Sequence, residues 1–150
     1  MRYLGLDLGA KTLGVAISDT THTIATTLTT LHFSDNSYDD AIKLLKPIIE
    51  ENDIGKIVLG FPKNMNGTVG PRALLTLDFK KKLEEEFALE VVMQDERLTT
   101  VEAEGYMLKA DMSRKKRKQK IDSLAANIIL QTYLDKERNG NDANGRIFEI

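Results

Sequence analysis

Residues Arg2–Phe33 read RYLGLDLGAKTLGVAISDTTHTIATTLTTLHF, and this stretch decides the fold. Its first segment, RYLGLDL at 2–8, is largely apolar, ends at Gly9 and reads as a buried strand. A second strand is expected at Leu13–Ser18. The threonine-rich segment His22–Phe33 carries β-branched residues throughout and supplies a third. Connections this short suit an antiparallel meander, because parallel neighbours need a crossover of about a dozen residues or more.

Beyond Phe33 the period changes. Ala41, Leu44, Leu45, Ile48 and Ile49 fit a helix over 38–52, which Pro47 is expected to bend or shorten. KIVLGF at 56–61 reads as another buried strand. Gly60, Pro62, Asn64, Asn66, Gly67 and Gly70 mark a loop, and Pro71 suits the first turn of a helix running to about Phe87. A strand at Val91–Met93 follows. Thr99 and Glu102 form a capping box that starts a helix through about Leu108. The last element, Lys120–Lys136, has a helical stripe of Ile121, Leu124, Ala125, Ile128 and Ile129. The order βββαβαβα plus a final helix makes an α/β fold: a mixed five-stranded sheet, its first three strands antiparallel, with helices on its faces. One domain is expected over 1–138. The turn-rich stretch NGNDANGR opens a flexible tail at 139–150.

Composition narrows the function classes. With 150 residues, the chain has the size of one domain, and with no cysteine it has neither a disulfide framework nor a thiolate nucleophile. Asp7 interrupts the N-terminal apolar run before a secretion signal could form, so a cytoplasmic location is expected. No apolar stretch approaches the ~20 residues of a membrane span. The formal net charge of −2 argues mildly against a general nucleic-acid binder. It also hides the run RKKRKQK at 114–120.

Three groups of acids stand out. Asp7 sits where a strand otherwise reads as apolar, so it must lie at the strand's end, be hydrogen-bonded or hold a cation; organising the turn at Gly9 is the plainer alternative. Asp95-Glu96-Arg97 falls at the end of another central strand, where α/β sheets gather ligands, although in isolation a solvated turn with a salt bridge is the plainer reading. Arg97 could steady a phosphate oxygen. Asp122 starts the final helix with Ala126, Ile129 and Tyr133 on its own face; it suits the helix dipole, which does not explain the apolar company. Carboxylates brought together from three elements repel unless cations neutralise them, and oxygen ligands without histidine or cysteine suit Mg²⁺ or Mn²⁺. Two such ions support hydrolysis of a phosphate ester.

Four blocks in order, GLDLGAKTLGVAISD at 5–19, VLGFPKNMNGTVGPRA at 58–73, DERLTT at 95–100 and KIDSLAANIILQTYLD at 120–135, resemble the RuvX (YqgF) family of pre-16S rRNA nucleases and Holliday-junction-resolvase-like proteins. The resemblance implies a ribonuclease H-like fold and an acidic triad of Asp7, Glu96 and Asp122 as catalytic and metal-holding residues, with Asp95 a further acid. It also implies that the loop from Pro62 to Gly70 lies near substrate, where Asn66, Gly67 and Thr68 offer hydrogen bonds, unless that loop is simply a structured turn. The basic run, with Arg114, Lys115, Lys116, Arg117 and Lys118, stands directly before Asp122; it is either a solvated loop or a phosphate-contacting segment. His22 and His32 match no metal spacing and read as surface or hairpin residues. Lys80–Lys82 and Glu84–Glu86 read as a solvated helix face with pairs such as Lys80–Glu84.

The expected activity is therefore metal-dependent endonucleolytic cleavage of structured nucleic acid, with the 5′ end of precursor 16S ribosomal RNA as leading substrate. The alternatives are a resolvase of branched DNA and a non-catalytic ribosome-assembly factor. Expected partners are nucleic acid and a ribosome precursor. Monomer and homodimer both stay open, a resolvase favouring two paired sites. The N-terminal motif also resembles the first phosphate motif of actin and sugar-kinase proteins, but these bind nucleotide between two lobes, and one domain supplies only one.

Overall fold

The computed structural model describes residues 1–35, 37–62, 70–95 and 124–139. Three strands, β1 (Arg2–Leu8), β2 (Thr12–Ser18) and β3 (Ala25–His32), form the expected antiparallel meander. Helix α1 (Tyr38–Glu51) then crosses to β4 (Ile54–Phe61), and α2 (Pro71–Phe87) crosses to β5 (Glu90–Asp95). Both β4 and β5 are parallel to β1, giving a five-stranded mixed sheet in the order β3-β2-β1-β4-β5. Residues 124–139 are helical, and we label them α3. The expected helix from Thr99 to Leu108 and the tail after Asn139 lie outside the described residues.

The period of two sorts the strand side chains onto two faces. Leu4, Leu6 and Leu8 join Leu13, Val15, Ile57, Leu59 and Val91 against α1 and α2, whose Tyr38, Leu45, Phe79 and Leu83 complete the larger core. Ala16, Ala25 and Val58 face α3, which contributes Ala126, Ile129, Leu130 and Leu134. Small residues on this second face let α3 come close. A Cβ on Gly5 would stand 2.6 Å from Leu130 Cβ and 3.1 Å from the Ala126 carbonyl oxygen. Pro47 lies inside α1 without ending it; its ring is exposed, and the helix continues to Glu51. The expected Lys80–Glu84 pair forms, at 3.1 Å.

Helix α3 also covers part of the sheet's open edge. Its Gln131 accepts from the Ala25 amide at 2.8 Å and donates to the Thr23 carbonyl at 2.9 Å, while Asn127 donates to the Ala25 carbonyl at 3.0 Å. Side-chain amides thus take the place of a sixth strand at the start of β3. At the opposite end of the same face, Lys56 donates to the Tyr133 hydroxyl at 3.1 Å, pairs with Glu137 at 3.4 Å and lies over the Tyr3 ring. Burial alone would lower the pKa of this ammonium, but the Tyr133 hydroxyl and nearby acid outweigh it and raise the pKa above the ordinary value. His22, in a left-handed conformation with φ 59°, stacks on Tyr3 at 3.9 Å and closes that end.

Candidate functional site

The parallel strands β1, β4 and β5 all end at one edge of the sheet, and the candidate site is built there. Asp7 is the penultimate residue of β1 and half-buried, on the α3 face that Tyr3 and Gly5 also occupy. Its antiparallel partner on β2 is Gly14. On the other side the register runs Gly5 with Val58 and Leu6 with Leu59, so Gly60 comes beside Asp7 one step further. Two glycines therefore flank the carboxylate and leave the sheet beside it floored by backbone. The sequence offered a strand's end, a hydrogen-bonded place or a cation as ways to keep this acid, and the structure puts it at the strand's end.

Helix α3 runs toward this carboxylate. Tyr133 meets Tyr3, with ring centroids 6.2 Å apart, and Leu130 and Ala126 meet Gly5 two residues further along β1. The first described turn of α3, at Leu124, therefore heads to the Asp7 end of the strand.

On β5, Gln94 pairs with Gly60 and Asp95 with Phe61. Strand alternation places Gln94 with Val92 on the α3 face and Asp95 with Val91 and Met93 on the opposite one. Asp7 and Asp95 thus share the sheet edge but not a face, two strand spacings or roughly 10 Å apart. Gln94, only 7% exposed, is a buried polar residue that composition and motifs did not single out, although the alternation of VVMQD could have placed it.

Arg72 was also missed. It stands in the first turn of α2 and donates from its guanidinium to the carbonyl of Leu8, the residue after Asp7. At the same corner the Gly9 amide donates to the Thr12 carbonyl at 2.7 Å, closing the β1–β2 turn. Nothing local in sequence announces the Arg72 contact, because it joins positions 64 residues apart.

Glu96, Arg97, Asp122, Asn66, Gly67, Thr68, Arg114, Lys115, Lys116, Arg117 and Lys118 lie outside the described residues. Among the described residues no three acids or histidines come together as a metal-holding group. His22 stacks on Tyr3, and His32 is the last residue of the edge strand β3.

Comparison with known proteins agrees with this architecture. A protein of Geobacillus sp. (strain WCH70) named "Putative pre-16S rRNA nuclease" is 53% identical over 138 residues, covering 92% of this chain and 100% of the relative. The fowlpox virus resolvase in complex with Holliday junction DNA superposes with a TM-score of 0.58 at 13% identity, over 91% of this chain and 98% of that one. RuvC of T. thermophilus in complex with a Holliday junction substrate gives 0.54 at 11% identity, over 91% and 96%. These likenesses establish the ribonuclease H-like fold. Residues 1–136 match the family RuvX, described as Holliday junction resolvase, and the chain belongs to that family.

Proposed function

We propose that this protein is an endonuclease that hydrolyses phosphodiester bonds in structured nucleic acid, with precursor 16S ribosomal RNA as its substrate. The observation that carries the reading is Asp7, held half-buried between Gly14 and Gly60 at the edge where β1, β4 and β5 end and toward which α3 runs. The name of the Geobacillus relative supports RNA over DNA, and the family description keeps branched DNA as the second substrate to be tested.

Asp7, Glu96 and Asp122 are the proposed catalytic and metal-holding acids. The blocks DERLTT at 95–100 and KIDSLAANIILQTYLD at 120–135, which carry the likeness to the RuvX family, support Glu96 and Asp122 as the partners of Asp7. An all-oxygen donor set beside backbone-floored space fits Mg²⁺ or Mn²⁺, which would neutralise the acids and supply Lewis-acid activation of water and phosphate. The chain's own part is to hold Asp7 rigidly, through a strand paired on both sides, and to bring basic residues to the phosphates. Arg97 and the run Arg114–Lys118, with Asn66, Gly67 and Thr68, are the proposed nucleic-acid contacts. Action on ribosomal precursor places the protein in the cytoplasm.

The test incubates purified protein and its Asp7→Asn variant with precursor ribosomal RNA and with four-way DNA junctions, in Mg²⁺ or Mn²⁺. Cleavage of the RNA is expected, with a loss of about 10³-fold or more in the variant, the scale of removing an essential charge-stabilising group. Preferential cutting of junctions would favour the resolvase reading. If neither substrate is cut, or the variant cuts equally, the catalytic assignment fails.

A further inference from the structure

In β1 the even-numbered residues direct their backbone groups to β4. Arg2 donates its amide to the Asp53 carbonyl at 3.0 Å, just ahead of β4, whereas the odd-numbered Tyr3 donates to Ser18 on β2 and Gly9 to Thr12. Leu4 and Leu6 continue the even series, paired with Ile57 and Leu59. The next even residue is Leu8. In a parallel ladder of this register, its carbonyl calls for the amide of residue 62.

Residue 62 is proline and has no N–H to give. The last carbonyl of β1 would be left without its ladder partner at the place where the strand leaves Asp7. The Arg72 guanidinium fills this gap, donating to that oxygen from the first turn of α2. The same peptide group is held from its other side, since its N–H is the Gly9 amide that donates to Thr12. Both ends of the Leu8–Gly9 peptide are therefore fixed, one by the hairpin and one by a side chain from across the sheet.

We propose that Arg72 is a positioning residue for Asp7, replacing the ladder hydrogen bond that Pro62 cannot make and so fixing the end of β1. For its activity readout the inference rests on the nuclease reading above; its structural readout does not. Arginine suits the role because its fork stays charged and reaches a carbonyl with defined geometry. Lysine at 72 supplies a point charge without that geometry.

The experiment compares Arg72→Ala, Arg72→Lys and the double variant Arg72→Ala/Pro62→Ala, which restores a backbone donor at 62. Amide hydrogen exchange of Gly9 is read by NMR on the full chain, and steady-state cleavage is measured on the same samples. Arg72→Ala should raise Gly9 exchange at least tenfold and lower kcat by about 10–100-fold with KM little changed, because a small misplacement at a reacting group has that cost. Arg72→Lys should fall between. The double variant should recover Gly9 protection and part of kcat. If Gly9 exchange is unmoved by Arg72→Ala, or if restored exchange brings back no kcat, the proposal is overturned, the second result meaning that the guanidinium acts on the substrate itself. Should the wild type prove inactive on every nucleic acid, the nuclease reading fails, while the exchange data still decide whether Arg72 completes the ladder.

Discussion

At the scale of single residues, carboxylates in this chain do two kinds of work. Asp19 closes the β2–β3 connection: it accepts from the Thr21 hydroxyl, and from the amides of Thr23 at 2.7 Å and Ile24 at 3.1 Å. The Thr21 hydroxyl first, and then those amides, hold its carboxyl well below the usual carboxylate range. A depressed folded pKa contributes stability that is present above the unfolded value, near 3.9, and is lost as pH falls through the folded one. Asp19→Ala should therefore lower Tm at pH 7, and the gap from wild type should narrow below about pH 4; a gap independent of pH would show that the ionised form does not matter. Asp7 is the other kind, an acid kept half-buried at the end of a central strand. Sequence could mark Asp7 as out of place in an apolar run. It could not show which face of the sheet Asp95 takes until β5 had a register, because adjacent strand residues differ in face.

At the scale of elements, the proposed site depends on how closely α3 lies on β1. Gly5 permits that approach, since any Cβ there would press on Leu130 and on the Ala126 backbone. Gly5→Ala should destabilise the fold by about 1–3 kcal/mol, the usual cost of overpacking, read as a lower urea midpoint. It should also depress cleavage in the surviving folded protein by lifting α3 from the Asp7 edge. A midpoint equal to wild type would mean that α3 is free to shift. The strands and α1 were readable because periods of two and of about 3.6 write themselves into local sequence. The β2–β3 edge cover by Asn127 and Gln131 was not, since it joins residues 102 to 108 positions apart. The bulge between Val15 and Ala16, which shifts the β3 register, likewise leaves no local mark.

For the whole molecule, the charge distribution matters more than the sum of −2. On the proposed reading, acids occupy the cleavage edge and the segment at 114–120 supplies the compensating positive charge. Replacing Lys115, Lys116 and Lys118 with Ala should reduce the slope of log affinity against log salt by roughly one per lysine that touches phosphate. An unchanged slope would mean that the run is merely solvated.

Strand β1 has one more consequence, for how the protein is made. It precedes the other strands in the chain, yet it lies in the middle of the sheet, and its partners arrive at very different times. β2 follows at once; β4 waits for the α1 crossover; the helix laid over Gly5 comes only with residues 124–139. Contacts separated so widely close late and slowly, and a chain growing from its N-terminus cannot form them early. On the proposed reading, the cleavage edge is thus completed late around a strand that precedes its partners. An enzyme proposed to cut the RNA of the translation machinery would therefore stay incompetent while it is still a nascent chain on that machinery.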